Sequence, residues 1–117
     1  MSSRDTRPIS WIRAARRDFE DFPKGARDEI LRALTTAAEG GKHDLAKPMK
    51  GLGSGVFEVA LQYRADAYRT VYAIQLGEDL WVIHAFQKKA TQGAKTPQRE
   101  IDVVRNRLKR LKQESGK

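Results

Sequence analysis

A chain of 117 residues is long enough for one hydrophobic core and too short for two, so the sequence reads as a single domain over 1–117. With no cysteine and two histidines it has no means to build a disulfide framework, a thiolate metal site or a structural zinc, and no cofactor is expected. The formal charge of +8 favours polyanionic partners, whether nucleic acid, an anionic membrane or an acidic protein, without choosing among them.

Met1 to Pro8 lacks the apolar stretch of a signal peptide. The longest apolar run, Leu80 to Phe86, is interrupted by His84 and too short to cross a bilayer, so a cytoplasmic chain with no membrane partner is expected. Ile9-Ser10-Trp11 reads as a short strand, after which Ile12, Ala15, Phe19 and Phe22 recur at the spacing of one helix face. Pro23 ends that helix and suits the first turn of another, with apolar face Ala26, Ile30, Leu34 and Ala37, closed by Gly40-Gly41. Residues 42–55, with their glycines, lysines and Pro48, read as an exposed basic loop.

From Val56 the period changes to two: Phe57, Val59, Leu61 and Tyr63 point one way, Glu58, Ala60, Gln62 and Arg64 the other, as in a half-buried strand. Asp66-Ala67 is the expected connection to a second strand, Tyr68 to Leu76, and Gly77-Glu78-Asp79 leads to a third, Leu80 to Gln87, rich in aromatic and β-branched residues. A second basic loop is expected at about 88–96. Thr96 as N-cap, Pro97 at N1 and Glu100 in the first turn then open a helix. Its apolar stripe is Ile101, Val104, Leu108 and Leu111, its other faces carry Arg105, Arg107, Lys109, Arg110 and Lys112, and it frays after Gln113. The expected fold class is α+β: two N-terminal helices, an antiparallel sheet of three or four strands and a C-terminal helix.

No nucleotide cradle is present, since Gly51, Gly53 and Gly55 precede a strand rather than open a helix. Carboxylates and histidines never gather at metal-ligand spacing, and a serine nucleophile elbow is absent, so chemistry falls to Arg, Lys, Tyr, Glu or His. Cations gather on segments that adjoin one another in the inferred fold: Lys47 and Lys50 on the first loop, Arg64 and Arg69 around the first hairpin, Lys88 and Lys89 after the third strand. These would line one groove. Strand alternation sets Arg69 with Val71, Ala73 and Gln75 on the more polar face, outside the core. RNA cuts itself when its 2′-OH attacks the adjacent phosphorus; a catalyst takes that proton, neutralises the anionic transition state and protonates the leaving 5′-oxygen. Clustered arginine and lysine meet the second demand. Plainer readings stand beside this one: Arg69 and Lys88 as strand-end charges or partners of Glu58, His84 as a hydrogen-bonded core histidine, Tyr72 and Trp81 as packing residues, Lys47 and Lys50 as solubilising charges.

Gly51-Leu52-Gly53-Ser54-Gly55-Val56-Phe57-Glu58, Tyr68-Arg69-Thr70-Val71-Tyr72, His84-Ala85-Phe86-Gln87-Lys88-Lys89 and Thr96-Pro97-Gln98-Arg99-Glu100-Ile101 follow one another in this order. Over Ile9 to Leu111 the set resembles the phage-derived RelE/HigB-like branch of the RelE/ParE toxin superfamily. The resemblance implies the toxin half of a type II toxin–antitoxin pair: a metal-independent endoribonuclease that cuts ribosome-bound mRNA and so inhibits translation. It also implies a cognate antitoxin of the helix-turn-helix, HigA-like kind, with operator DNA reached only through that antitoxin. For the site it implies Arg69, Lys88 and Lys89 as catalytic residues, with Tyr72 and His84 in matching strings, and Lys47, Lys50, Arg64 and Glu58 in contact with RNA. Glu58, Tyr72 or His84 would assist proton transfer, and Arg69→Ala is expected to abolish activity while leaving the fold nearly intact. Two rival functions come with the superfamily: DNA gyrase inhibition by ParE-like binding alone, and a non-toxic phage remnant that only binds RNA or its antitoxin.

Overall fold

In the computed structural model, which describes residues 6–88 and 95–115, the elements in chain order are β1 (Ile9–Trp11), α1 (Arg13–Glu20), α2 (Lys24–Ala38), β2 (Ala46–Pro48), β3 (Val56–Tyr63), β4 (Asp66–Leu76), β5 (Asp79–Lys88) and α3 (Gln98–Ser115). The α+β class is as expected. The sheet has five strands in the order β1-β5-β4-β3-β2, because two short segments extend the antiparallel β3–β4–β5 meander at its edges. β1 pairs with β5 in parallel, Ile9 opposite Leu80 and Trp11 opposite Val82. β2 lies inside the segment expected to be loop and pairs with β3, Ala46 opposite Val59 and Pro48 opposite Phe57. Pro48 lacks an amide to donate and is tolerated because β2 is an edge strand. Ala46 and Leu52 are buried, so this segment is anchored at two points.

Three further boundaries differ from expectation. Tyr63 pairs with Asp66, so the first hairpin turns on Arg64-Ala65, with Arg64 at φ 58°, and Asp66-Ala67 already belongs to the strand. Lys88 closes β5 instead of opening a loop. α3 runs to Ser115, two residues past the expected end, and starts at Gln98. The amides of Glu100 and Ile101 donate to the Pro97 carbonyl at its start.

One face of the sheet is covered by α1 and α2. Ala15, Phe19, Phe22, Ala26, Ile30 and Leu34 pack there on Val59, Tyr68, Tyr72, Leu80 and Val82. A chain of tilted rings crosses this layer, with centroids 5.0 Å apart for Trp11–Phe19, 5.6 Å for Phe19–Phe22 and 4.8 Å for Phe22–Tyr68. Such ring pairs add about 0.5–1.5 kcal/mol each beyond their buried area.

The opposite face is covered by α3, whose Val104, Leu108 and Leu111 pack on Leu52, Val56, Val71, Ala73 and Ile83. Full burial of each such aliphatic side chain stabilises by about 1.5–3 kcal/mol. Ile101, in the first turn of α3, joins that contact at its margin. The first turns of the helix otherwise lie over polar side chains of β3, β4 and β5. No helix among the described residues is long and apolar enough to cross a membrane.

Candidate functional site

Strand pairing decides which side chains share the face beneath the start of α3. Val71 stands opposite Glu58 on one side and His84 on the other, and Arg69 stands opposite Ala60 and Phe86, so Glu58, Arg69, His84 and Phe86 project from the same face. Lys88, opposite Ala67, continues that row, and Lys47, opposite Glu58, extends it to the edge strand.

His84 reaches this face only because the β4–β5 register shifts. Val71 faces His84 but the next residue, Tyr72, faces Val82, which leaves Ile83 as an extra residue on β5. Ile83 and His84 therefore both turn toward α3, and Arg107 Nη1 donates to the Ile83 carbonyl at 3.0 Å.

Two polar clusters result. In the first, Arg69 Nη1 donates to Glu58 Oε1 at 3.2 Å and to Thr96 Oγ1 at 3.1 Å, while the Thr96 hydroxyl donates to Glu58 Oε2 at 2.8 Å. The three side chains close a ring that ties β3 and β4 to the entry of α3. Arg69 is only 7 % exposed, so the expectation that it lies outside the core is corrected. Strand alternation does set Arg69 on the face away from α1 and α2, but α3 covers that face. The same burial overturns the expectation that Arg69→Ala leaves the fold nearly intact, since it strips the part-buried Glu58 carboxylate of its cation.

In the second cluster, His84 Nε2 lies 2.7 Å from Glu100 Oε1, and its Nδ1 lies 3.2 Å from Arg107 Nη1. Arginine has only donors, so Nδ1 accepts, the ring proton sits on Nε2, and Nε2 donates to the Glu100 carboxylate. Burial pulls the imidazole below its usual value and outweighs the opposing hydrogen bond from Glu100, so His84 is neutral at pH 7. Its ring stacks on Phe86, centroids 5.1 Å apart, and this places Phe86 between the two clusters.

Lys88 is 2 % exposed at the end of β5. Tyr72 is on the opposite face, stacked on Phe57 at 5.3 Å, and burial pushes its phenol up to about 12. It does not join the others. Lys47 and Lys50 are exposed, the first beside Glu58 and the second in the turn after β2. Arg64 is exposed at the hairpin tip, its guanidinium 5.3 Å from the centre of the Tyr63 ring. Lys89 lies outside the described residues. Among the described residues no three His, Asp or Glu side chains stand close enough together to hold a metal ion.

Sequence reasoning missed Thr96, Glu100 and Arg107. Thr96 reads as a helix cap and Glu100 as a partner of the helix dipole, but both turn their polar atoms onto the sheet. Arg107 falls in a basic run that reads as solvated surface, yet it sits one helical turn past Val104 and reaches the bulge.

The fold is that of the RelE toxins. A mutant of E. coli toxin RelE in the free state superposes with a TM-score of 0.60 at 18 % identity, over 90 % of this chain and 97 % of that one. The isolated E. coli RelE toxin gives 0.55 at 17 % identity, over 86 % and 98 %. The toxin–antitoxin complex RelBE2 from Mycobacterium tuberculosis gives 0.42 at 22 % identity, over 73 % and 93 %. No curated protein matches the sequence. Residues 17–109 match the family described as phage derived protein Gp49-like, and the chain belongs to that family.

Proposed function

We propose that this chain is the toxin of a type II toxin–antitoxin pair and a metal-independent endoribonuclease of the RelE/HigB kind, acting in the cytoplasm on ribosome-bound mRNA. The observation that carries the proposal is the gathering of Glu58, Arg69, His84 and Lys88 on one face of a RelE-like sheet, in a chain of charge +8.

In this reading Arg69 and Lys88, with Lys89 next in the chain, neutralise the scissile phosphate, and exposed Lys47, Lys50 and Arg64 hold neighbouring phosphates. The 2′-oxygen attacks phosphorus as its proton passes to the Glu58 carboxylate. The bond to the 5′-oxygen breaks, and that oxygen takes a proton from an ammonium group of the same cluster, leaving a 2′,3′-cyclic phosphate and a free 5′-OH. Tyr72 takes no part, being on the other face and a weak acid there. His84 acts through position, because both ring nitrogens are engaged by α3. Arg69 meets RNA once Thr96 and the start of α3 yield their place beside it. Domain extent 1–117 and silencing by a HigA-like antitoxin, which alone contacts operator DNA, belong to the same proposal.

One observation favours a binding-only function such as gyrase inhibition: Arg69 and His84 are already engaged by the chain's own carboxylates. Inducing the chain in cells without antitoxin and mapping new 5′ ends across the transcriptome separates the two. Cuts within translated messages are the expected result. Growth arrest without cuts, accompanied by DNA damage signalling, would remove the ribonuclease reading. RNA binding by the purified chain should also fall steeply with salt, since phosphate contacts release counterions.

A further inference from the structure

Away from the polar row, α1 and α3 leave a groove of about 470 Å³ between them, lined by Arg13, Arg17, Arg107, Arg110, Trp81 and Leu111, with Ile12 and Ala14 at its side and Glu114 as the one acidic group lining it among the described residues. The floor is apolar. Trp81 is half-buried and Leu111 belongs to the α3 core, whereas Arg13, Arg17 and Arg110 are exposed on the rim. Among the described residues Arg17 has only Asp18, at 3.9 Å, and neither Arg13 nor Arg110 has an acidic partner. At the inner wall, Arg107 joins the groove to His84 and the Ile83 carbonyl.

We infer that this groove docks an acidic, amphipathic segment of a protein partner. Four guanidinium groups around an apolar floor ask for two things at once: apolar side chains to cover Trp81, Ile12 and Leu111, and carboxylates to meet the rim. Guanidinium forks pair with carboxylates in bidentate fashion, and tryptophan and arginine are the residues that anchor interfaces. An amphipathic helix supplies both from opposite edges of one stripe. An RNA strand would match the rim but lay sugars and phosphates against four apolar side chains. A second copy of this chain, itself at +8, would bring like charge to the rim. The inference is independent of the ribonuclease reading, since a chain that cuts no RNA would still bind such a segment.

The test reads Trp81 directly. The chain has two tryptophans, and Trp11 is packed on Phe19, so a Trp11→Phe background leaves Trp81 as the only indole. Three probes are titrated in turn: a synthetic helical peptide of about fourteen residues, roughly four turns, with leucine at i, i+3, i+4 and i+7 and glutamate elsewhere; its lysine counterpart; and a single-stranded RNA oligomer. The expected result is a saturable blue shift with the acidic peptide alone, weakened about tenfold or more in Arg13→Glu/Arg17→Glu/Arg110→Glu and by less in the corresponding glutamine variant. These positions are exposed, so circular dichroism should be unchanged. A shift with RNA in place of the peptide would assign the groove to nucleic acid. A shift with protein concentration alone would assign it to a second copy, and silence toward every probe would show that it docks nothing of this chemistry. Each of these three overturns the inference.

Discussion

The two faces of the sheet are built from alternate residues of the same strands, yet they solve different problems. The face under α1 and α2 is a dry layer of rings and aliphatic chains. The face under α3 joins an apolar patch around Val104, Leu108 and Leu111 to a polar row near the helix entry, where it buries Arg69, His84 and Lys88. Each face also hides a titratable ring whose ionisation burial opposes, Tyr72 on the first and His84 on the second. One layer draws its stability chiefly from apolar burial and leaves the Thr70 hydroxyl buried without a hydrogen-bond partner among the described residues. The other spends stability on buried charge, as functional sites do.

The comparison breaks most sharply at Phe19. Phe19→Ala empties the ring layer and should lower unfolding free energy by about 3–5 kcal/mol in denaturant titrations, while any residual activity per folded molecule is unchanged. Arg69→Ala on the other face should cost about 2–3 kcal/mol, because the part-buried Glu58 carboxylate keeps its Thr96 hydrogen bond but loses its cation. Glu58→Gln/Arg69→Gln should cost clearly less than the two single changes added together. If the double variant costs the full sum, the pair does not interact as described. Gly55, at the entry to β3, has φ 79°, and an added Cβ would stand 2.8 Å from the Gln75 side chain. Gly55→Ala should therefore cost about 1–2 kcal/mol by the same measurement.

The pH dependence separates the faces without disrupting either. The phenol of Tyr72 is raised to about 12 from an unfolded value of 10.0, so its share of stability is complete below pH 10 and is lost as pH rises through about 12. His84 is lowered from 6.5, so the folded state resists its protonation and stability falls as pH drops below 6.5. Tyr72→Phe should flatten the alkaline limb of thermal stability and leave the acid limb, and His84→Gln should do the reverse. A variant that flattens the wrong limb would contradict the assignment of ring to face.

What the sequence reveals follows range. Local periodicity marks both N-terminal helices, the three meander strands and the apolar stripe of α3, because each is set by neighbours a few residues apart. β2 escapes because Ala46-Lys47-Pro48 has no alternation and is a strand only through pairing with Phe57 to Val59. The parallel edge β1 is read as a strand but cannot be assigned its partner, which lies some seventy residues on. The Ile83 bulge is invisible locally, and with it the face on which His84 emerges. The candidate site was half legible. Glu58, Arg69 and Lys88 stand out as charges in apolar strands, whereas Thr96, Glu100 and Arg107 acquire their contacts only when α3 folds back onto the sheet.

Under the proposed ribonuclease function, chemistry belongs to the face under α3 and scaffolding to the other. This division is tested most directly by mapping new RNA 5′ ends after inducing three chains without antitoxin: wild type, Glu58→Gln/Arg69→Gln and Tyr72→Phe, with folded levels matched. The account predicts cuts in translated messages with the wild type and Tyr72→Phe, and none with the double variant. Equal cutting by all three, or loss only with Tyr72→Phe, would contradict it.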